Sequence, residues 1–313
     1  PILNNILISC EKNFLNLAAT DLEVGINWWC LAKTEKEGKI TVPSRLFSSF
    51  ISLLPSKKLT LSAENDSLII EYDNYKNQIK GISAEEFPII PKISDGEFAH
   101  INTNSFCQSL AQVSDIPVLS TTRPEISGVY IIFSKDLITI VATDSFRLGE
   151  KKIFIKNNLN LKKDYHLIIP QRAIKEIINI FSGIAGEIKI YFSSNQVMFE
   201  SQMAETNHPQ VQLISRLIEG EYPNYKEIIP SKFTTQLILD KNEFLNQIKT
   251  ASLFSGKINE IKIKTGTSNK NLEILSQSAE IGKHESADKI KSIVYNISKK
   301  IVPGNVFRDK TAL

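Results

Sequence analysis

Long apolar runs are missing from this chain. The longest unbroken one is five residues, as in Val129 to Phe133, against the roughly 20 a bilayer-spanning helix needs, so no transmembrane helix is predicted. Cysteine is scarce: Cys10, Cys30 and Cys107 are too few and too scattered for a disulfide framework or a zinc site, and they are expected to be buried thiols. Histidine is as sparse, and His100, His166, His208 and His284 stand at no ligand spacing, so neither a metal centre nor a cofactor is expected. Glycine-rich nucleotide loops, a phosphate-loop Gly-Lys-Ser/Thr and the Gly-x-Ser-x-Gly nucleophile turn are all absent. No basic segment precedes the apolar Ile2 and Leu3, so no secretory signal is read and the cytoplasm is the expected compartment. Charge of one sign is lacking too. With 37 basic and 34 acidic side chains the net charge is +3, which permits a nucleic-acid partner without demanding one.

What is present is a soluble composition, 42% apolar and 23% charged over 313 residues, enough for two or three cores. It is also repetitive. Leu-Ala-Ala-Thr-Asp-Leu at Leu17 returns as Ile-Val-Ala-Thr-Asp-Ser-Phe at Ile140, with Thr20 and Thr143 standing 123 residues apart. Leu3-Asn4-Asn5-Ile6-Leu7-Ile8 resembles Ile126-Ser127-Gly128-Val129-Tyr130-Ile131 at the same offset. Val42-Pro43-Ser44-Arg45 is matched by Ile169-Pro170-Gln171-Arg172, each followed by a helical pattern. Leu46, Phe47, Phe50, Ile51 and Leu54 form the inward face of the first helix; Ala173, Ile174, Ile177, Ile178 and Phe181 fall on the same phases of the second. A fainter third copy has Asn242-Glu243-Phe244 echoing Asn104-Ser105-Phe106, and Ser276 to Gly282 in the slot of the Thr-Asp segment. Alternating segments such as Leu59 to Ser62, Ser67 to Tyr72 and Ile188 to Phe192 read as strands. The class predicted is α+β, three similar domains with helices on mostly antiparallel sheet. Compared with the second repeat, the first lacks its opening helix, roughly 20 to 30 residues, and the third its closing strands. Lys299 and Lys300 fall on apolar helix phases there, and Pro303 breaks the segment. The first and third domains are therefore expected to be incomplete, a truncation at both ends.

Two chemistries compete for these motifs. Asp21 and Asp144 after apolar strands suggest a metal-dependent hydrolase or nuclease. Against that, they occupy equivalent places in separate repeats, where Thr-Asp satisfies backbone donors of a turn. The outward faces of the matched helices carry Arg45, Ser48, Ser49 and Ser52 on one and Gln171, Arg172, Lys175, Glu176 and Asn179 on the other. They read either as solvated surface or as short polar and basic groups suited to sliding along a phosphate backbone. Ser120 and Arg123, in the loop before the second repeat's first strand, would add to such a surface.

The motifs run in a fixed order: Pro-Ile-Leu-Asn-Asn-Ile-Leu at Pro1, Ala-Thr-Asp-Leu-Glu at Ala19, Val-Pro at Val42, Phe-Pro at Phe87, Thr-Arg-Pro at Thr122, Ala-Thr-Asp-Ser-Phe-Arg-Leu at Ala142 and Ser-Arg-Leu-Ile-Glu-Gly-Glu-Tyr-Pro-Asn-Tyr at Ser215. Each alone is weak, but the ordered set is specific. From Pro1 to about Asn296 the chain closely resembles the β subunit of bacterial DNA polymerase III, the replicative sliding clamp. The resemblance implies three clamp domains in tandem, residues 1–98, 99–221 and 222–313, with sheet outside and two helices of each lining a central hole. It further implies a homodimeric ring around double-stranded DNA and no catalysis of its own. Its partners would be the polymerase III catalytic subunit and the clamp loader, with no membrane. The chain would be an accessory subunit of a DNA-directed DNA polymerase (nucleotidyltransferase) holoenzyme. By resemblance Arg123, Gln171 and Arg172 approach DNA, and repeat equivalence adds Arg45. The family's pocket for clamp-binding peptides, between the second and third domains, maps onto Ile126, Thr143, Ser145, Phe146, Arg147, Leu148, Pro223, Glu227 and Ile228. Leu253 and Phe254, after a helix opened by Asp240, match the apolar knob of the dimer interface.

Overall fold

The computed structural model describes residues 2–55, 58–93, 96–156, 158–230, 232–265, 271–289 and 292–298. Lys299, Lys300 and Pro303 lie outside them. Among the described residues there are four α-helices: α1 (Ser44–Leu53), α2 (Thr103–Ala111), α3 (Gln171–Phe181) and α4 (Lys241–Ser252). None of them is long and apolar enough to cross a membrane.

The first two repeats are built on one plan. Each starts with a hairpin-connected run of three strands, Asn5–Glu11, Phe14–Thr20 and Val24–Leu31 in the first and Gly128–Phe133, Leu137–Thr143 and Leu148–Phe154 in the second. A fourth strand, Gly38–Pro43 or Tyr165–Pro170, returns to lie antiparallel beside the first of the run, the four-one-two-three order of a Greek key. The fourth strand ends on Pro43 or Pro170. Proline has no N–H with which to continue the ladder, so the chain leaves the sheet there and turns directly into α1 or α3. A three-stranded meander follows, Thr60–Glu64, Ser67–Tyr72 and Tyr75–Lys80 in one repeat and Glu187–Phe192, Gln196–Gln202 and Pro209–Arg216 in the other.

Strand Val24–Leu31, the edge of the first Greek key, pairs antiparallel with Pro209–Arg216, the last strand of the second repeat, with Ile26 opposite Leu213 and Val24 opposite Ser215. The result is a continuous eight-stranded sheet shared by both repeats, its far edge closed by Phe98–Asn102. Residues Pro1–Pro223 accordingly form one compact unit. Its largest core lies in the second repeat: Ile131, Phe133, Ile138 and Ile140 of the second Greek key, Ile174, Ile177 and Phe181 of α3, and Ile188, Ile190 and Phe199 of the meander are all fully buried. The alternation of Ile188, Ile190 and Phe192 is the inward parity expected of a half-buried strand. A smaller core joins Ile8, Ile40, Val42, Phe47, Leu68 and Ile70 in the first repeat.

Two expectations are corrected. Leu46 does not face inward as its phase suggested but is 54% exposed. Its counterpart Ala173 is covered because α3 packs against α2 as well as against the sheet, whereas α1 packs on strands Asn5–Glu11 and Gly38–Pro43. The cysteines are not all buried either: Cys107 is, and burial pushes its thiol up to about 11, but Cys10 and Cys30 are half-buried.

The second unit, Asn224–Gly304, carries α4, whose N-terminus is capped by Asp240 Oδ1 accepting from the N–H groups of Asn242 and Glu243 at 3.0 and 3.2 Å. Beside α4 lies an antiparallel sheet of Lys262–Thr265, Asn271–Ser278 and Gly282–Lys289, the strand, Thr-Asp-slot and strand sequence of the other repeats. Ala251, Leu272 and Ile274 form its core. Lys232–Ile238 pairs with Ser292–Ser298 as a ribbon.

Phe181→Ala, which empties a fully buried site, is expected to destabilise the first unit by about 3–5 kcal/mol. Leu53→Ala, at a position 83% exposed, should stay within about 0.5 kcal/mol. Urea unfolding of the two variants checks the difference.

Candidate nucleic-acid interface and the paired turns

Asp21 and Asp144 sit in turns that superimpose hydrogen bond for hydrogen bond. Thr20 Oγ1 donates to the Val24 carbonyl at 2.9 Å and accepts from Leu22 N–H at 3.0 Å. Thr143 Oγ1 donates to the Arg147 carbonyl at 2.8 Å and accepts from Ser145 N–H at 3.2 Å. Asp21 Oδ1 accepts from Glu23 and Val24 at 3.0 and 2.7 Å, and Asp144 Oδ1 from Phe146 and Arg147 at 2.9 and 2.6 Å. Both turns need a left-handed residue, and Leu22 (φ 76°) and Ser145 (φ 74°) supply it. The side chains substitute for ladder partners that the turning backbone has lost.

This geometry overturns the hydrolase or nuclease alternative. Each aspartate spends one oxygen on two backbone donors, and its second faces a guanidinium: Asp144 Oδ2 meets Arg147 Nε at 2.9 Å, and Asp21 Oδ2 meets Arg172 Nη1 at 2.7 Å. Burial alone would raise the Asp144 carboxyl, but the hydrogen bonds from the Arg147 backbone and side chain and from Phe146 outweigh it and hold the group below its usual value. A general base for neutral pH requires the opposite shift. Among the described residues no three His, Cys, Asp or Glu side chains gather as a metal site.

The residues expected at DNA fall into two kinds. Arg45 is exposed on the first turn of α1, and Arg172 and Lys175 are exposed on α3. Arg123, also exposed, links two elements, its Nε 3.1 Å from Glu125 Oε1 and its Nη1 3.4 Å from Ser145 Oγ. Gln171 and Ser120, in contrast, are engaged inside the protein. Gln171 Nε2 donates to the Ser114 carbonyl at 2.8 Å, tying the start of α3 to the segment after α2. Ser120 accepts through Oγ from Arg123 N–H at 3.1 Å and gives its own N–H to Ser127 Oγ at 2.8 Å, fixing the loop that carries Arg123. Sequence reasoning missed the carboxylates that meet these cations, Asp21 at Arg172 and Asp115 at Lys175. Asp21 comes from the other repeat, so no spacing along the chain announces it.

Of the peptide-site residues, Thr143 and Ile126 are buried, Ser145, Phe146 and Arg147 are exposed and Leu148 is half-buried. Phe146 is 82% exposed and so takes no part in the core. Pro223 is half-buried and follows Tyr222, whose ring stacks on Tyr130 at 4.6 Å; burial pushes the Tyr222 phenol upward. Glu227 and Ile228 belong to the second unit, both exposed, with Glu227 Oε1 accepting from Asn224 Nδ2 at 2.6 Å. There too, Leu253 is 70% exposed at the end of α4 and Phe254 stacks on His284 at 5.6 Å.

In the first repeat the equivalent turn is filled from within. Gly25 takes the place of Leu148, and a Cβ on it would stand 2.7 Å from Ile90 Cγ2. The segment through Ile89, Ile90 and Pro91 thus packs over the turn and leaves a cavity of only about 90 Å³, which Thr20, Leu22 and Arg216 help to line.

Two family models match the chain, the DNA polymerase III β subunit N-terminal domain over residues 1–91 and its central domain over residues 100–224. Similar curated proteins include the β sliding clamps of Staphylococcus epidermidis and Staphylococcus aureus, each 28% identical over 291 residues, 90% of this chain and 74% of the relative. Among solved structures, the DNA polymerase sliding clamp of Bacillus subtilis superimposes with a TM-score of 0.85 at 26% identity, covering 94% of this chain and 78% of that one. The β subunit from DNA polymerase of Streptococcus pyogenes shares the fold, with a TM-score of 0.84 at 21% identity over 95% of this chain and 79% of that one.

Asp144→Ala, which strips two backbone donors of their acceptor, should cost about 1–3 kcal/mol at neutral pH, and Asp144→Asn less, since Oδ1 survives. Because the folded-state pKa is lowered, the carboxylate's contribution is complete above the unfolded value, about 4. It is lost as pH falls through the lower folded value. The stability gap between wild type and Asp144→Asn should therefore close in acid, which urea titrations at pH 7 and pH 3 measure.

Proposed function

The chain belongs to the family of the DNA polymerase III β subunit, and on that premise we propose how it works as a sliding clamp. It is a non-catalytic processivity factor that encircles duplex DNA and tethers the replicative polymerase. The observation that carries this reading is the eight-stranded sheet made of two like repeats joined edge to edge. Such a joint can be reiterated, because among the described residues the first repeat's meander ends on the free edge Tyr75–Lys80 and the second Greek key on the free edge Leu148–Phe154, the counterparts of the two strands already joined. Three clamp domains, residues 1–98, 99–221 and 222–313, are the proposed units, and a head-to-tail homodimer is the proposed ring.

In this reading α1 and α3 present Arg45, Arg172 and Lys175 to the phosphate backbone, with Arg123 beside them. Ser120 and Gln171 hold the loop and the helix start in place. A surface of few cations and short polar groups suits sliding, since each neutralised phosphate steepens the salt dependence by about 0.9 and strengthens a contact that must be broken at every step. The turn at Thr143 is the proposed peptide site, with Phe146, Arg147 and Leu148 as its accessible apolar and cationic groups and Ile126, Ser145 and Pro223 beside them. A shallow apolar site next to one Arg suits an extended segment of a partner with a Leu or Phe anchor. The polymerase III catalytic subunit and the clamp loader are the proposed carriers of such segments. Leu253 and Phe254 are the proposed knob of the homodimer interface.

The test is topological. Loaded on circular plasmid, the protein is expected to stay bound through gel filtration and to run off once the plasmid is cut. Equal loss from circle and line would overturn the clamp reading. Arg172→Ala is expected to weaken binding about equally for unrelated duplex sequences, and strong preference for one sequence would count against a sliding surface. Leu148→Ala should weaken capture of a Leu- or Phe-anchored peptide while unfolding stability changes by less than about 2 kcal/mol. A larger loss of stability, in the roughly 2–5 kcal/mol range of a core leucine, would return the residue to packing.

A further inference from the structure

Most cations on the proposed DNA-facing surface are already held by carboxylates of the protein itself. Arg172 Nη1 lies 2.7 Å from Asp21 Oδ2, Lys175 Nζ 3.3 Å from Asp115 Oδ1 and Arg123 Nε 3.1 Å from Glu125 Oε1. Neither partner of the α3 cations comes from α3: Asp21 is in the Thr-Asp turn of the first repeat and Asp115 in the segment after α2. The cationic side chains stay open to solvent, 70% for Arg172 and 50% for Lys175, so a phosphate oxygen can approach without the protein rearranging.

We propose that Asp21 and Asp115 are built-in competitors of DNA phosphate: they hold Arg172 and Lys175 between phosphate encounters and thereby set the weak, shallow affinity that sliding requires. This rests on the assignment of α3 to the DNA-facing surface. A cation that reaches a phosphate from water displaces a condensed counterion, about 0.9 per contact. A cation that leaves a carboxylate to do so frees that carboxylate to recruit a counterion of its own. That cost offsets part of the gain, so a guarded cation contributes less to affinity and to its salt dependence than a free one would. Handing Arg172 from Asp21 to phosphate and back exchanges like for like, which lowers the barrier between successive positions along the duplex.

The experiment measures binding of the full chain to a short mixed-sequence DNA duplex by fluorescence anisotropy over a salt series. Asp115→Asn is the cleaner variant, because its side chain is 85% exposed. Asp21→Asn keeps the Oδ1 that caps the turn and removes the charge facing Arg172. Each is expected to raise low-salt affinity about threefold or more and to steepen the plot of log affinity against log salt by up to about 0.9. Glu205→Gln is the control: it changes net charge by the same amount in the hairpin between strands Gln196–Gln202 and Pro209–Arg216, where Glu205 is exposed with no ion pair among the described residues. If both Asp variants match Glu205→Gln in affinity and slope while Arg172→Ala and Lys175→Ala weaken binding, the competitor role is wrong and the DNA-facing assignment stands. If Arg172→Ala and Lys175→Ala bind as wild type, both fall.

Discussion

The pairing of Val24–Leu31 with Pro209–Arg216 is the contact on which the first unit depends. Two Greek keys and two meanders would otherwise present open strand edges, each a row of unsatisfied backbone groups. Joining the last strand of one repeat to the third strand of the other satisfies one such row on each side. Register is strict because one slipped residue would turn Ile26 and Leu213 from the interior to the surface. That register carries the Thr-Asp turn of the first repeat, which immediately precedes Val24, to the start of α3. The Asp21–Arg172 pair is a consequence of a sheet joint.

A repeated backbone then allows repeated positions to diverge. The two Thr-Asp turns share every side-chain cap and a left-handed third residue, so their framework does not depend on which residues come after the turn. At the sixth position one copy has Gly25 and the other Leu148. Without a Cβ, Gly25 admits Ile90 of the neighbouring segment and the first turn is closed by the chain itself. With Leu148 and the exposed Phe146, the second turn keeps apolar surface available. An open apolar turn on one copy and a packed one on the other need only a few different side chains when the hydrogen bonds of the turn do not change.

The helices show the same economy. Their inward faces are apolar at the same phases, and their outward faces differ in how charge is managed. Exposed ion pairs contribute little to stability, so pairing Arg172 and Lys175 with carboxylates does not explain how the fold holds. In the proposed role, it tempers how strongly those cations act on an approaching polyanion. Net charge near balance on the whole chain, +3, fits a surface whose cations are locally compensated.

Much of this was legible in the sequence because it is local or periodic. The Thr-Asp turns, the proline that ends a strand and starts a helix, the alternating strand of Ile188 to Phe192 and the Asp240 cap depend on neighbours within a few residues. The offset of 123 between Thr20 and Thr143 exposed the repeat plan without any structure. What the sequence did not determine depends on distant partners. Leu46 shares its phase with Ala173, yet only tertiary packing decides which has a helix beside it. Gln171 reads as an outward polar group until the Ser114 carbonyl is found within reach. Arg172 reads as a free cation until the sheet joint delivers Asp21 to it. Local sequence specified the repeating unit because turns and caps satisfy backbone groups nearby. Tertiary structure decided which copy of the turn stays open, which is packed and which charges are compensated, since burial and pairing at those points belong to residues far apart in the chain.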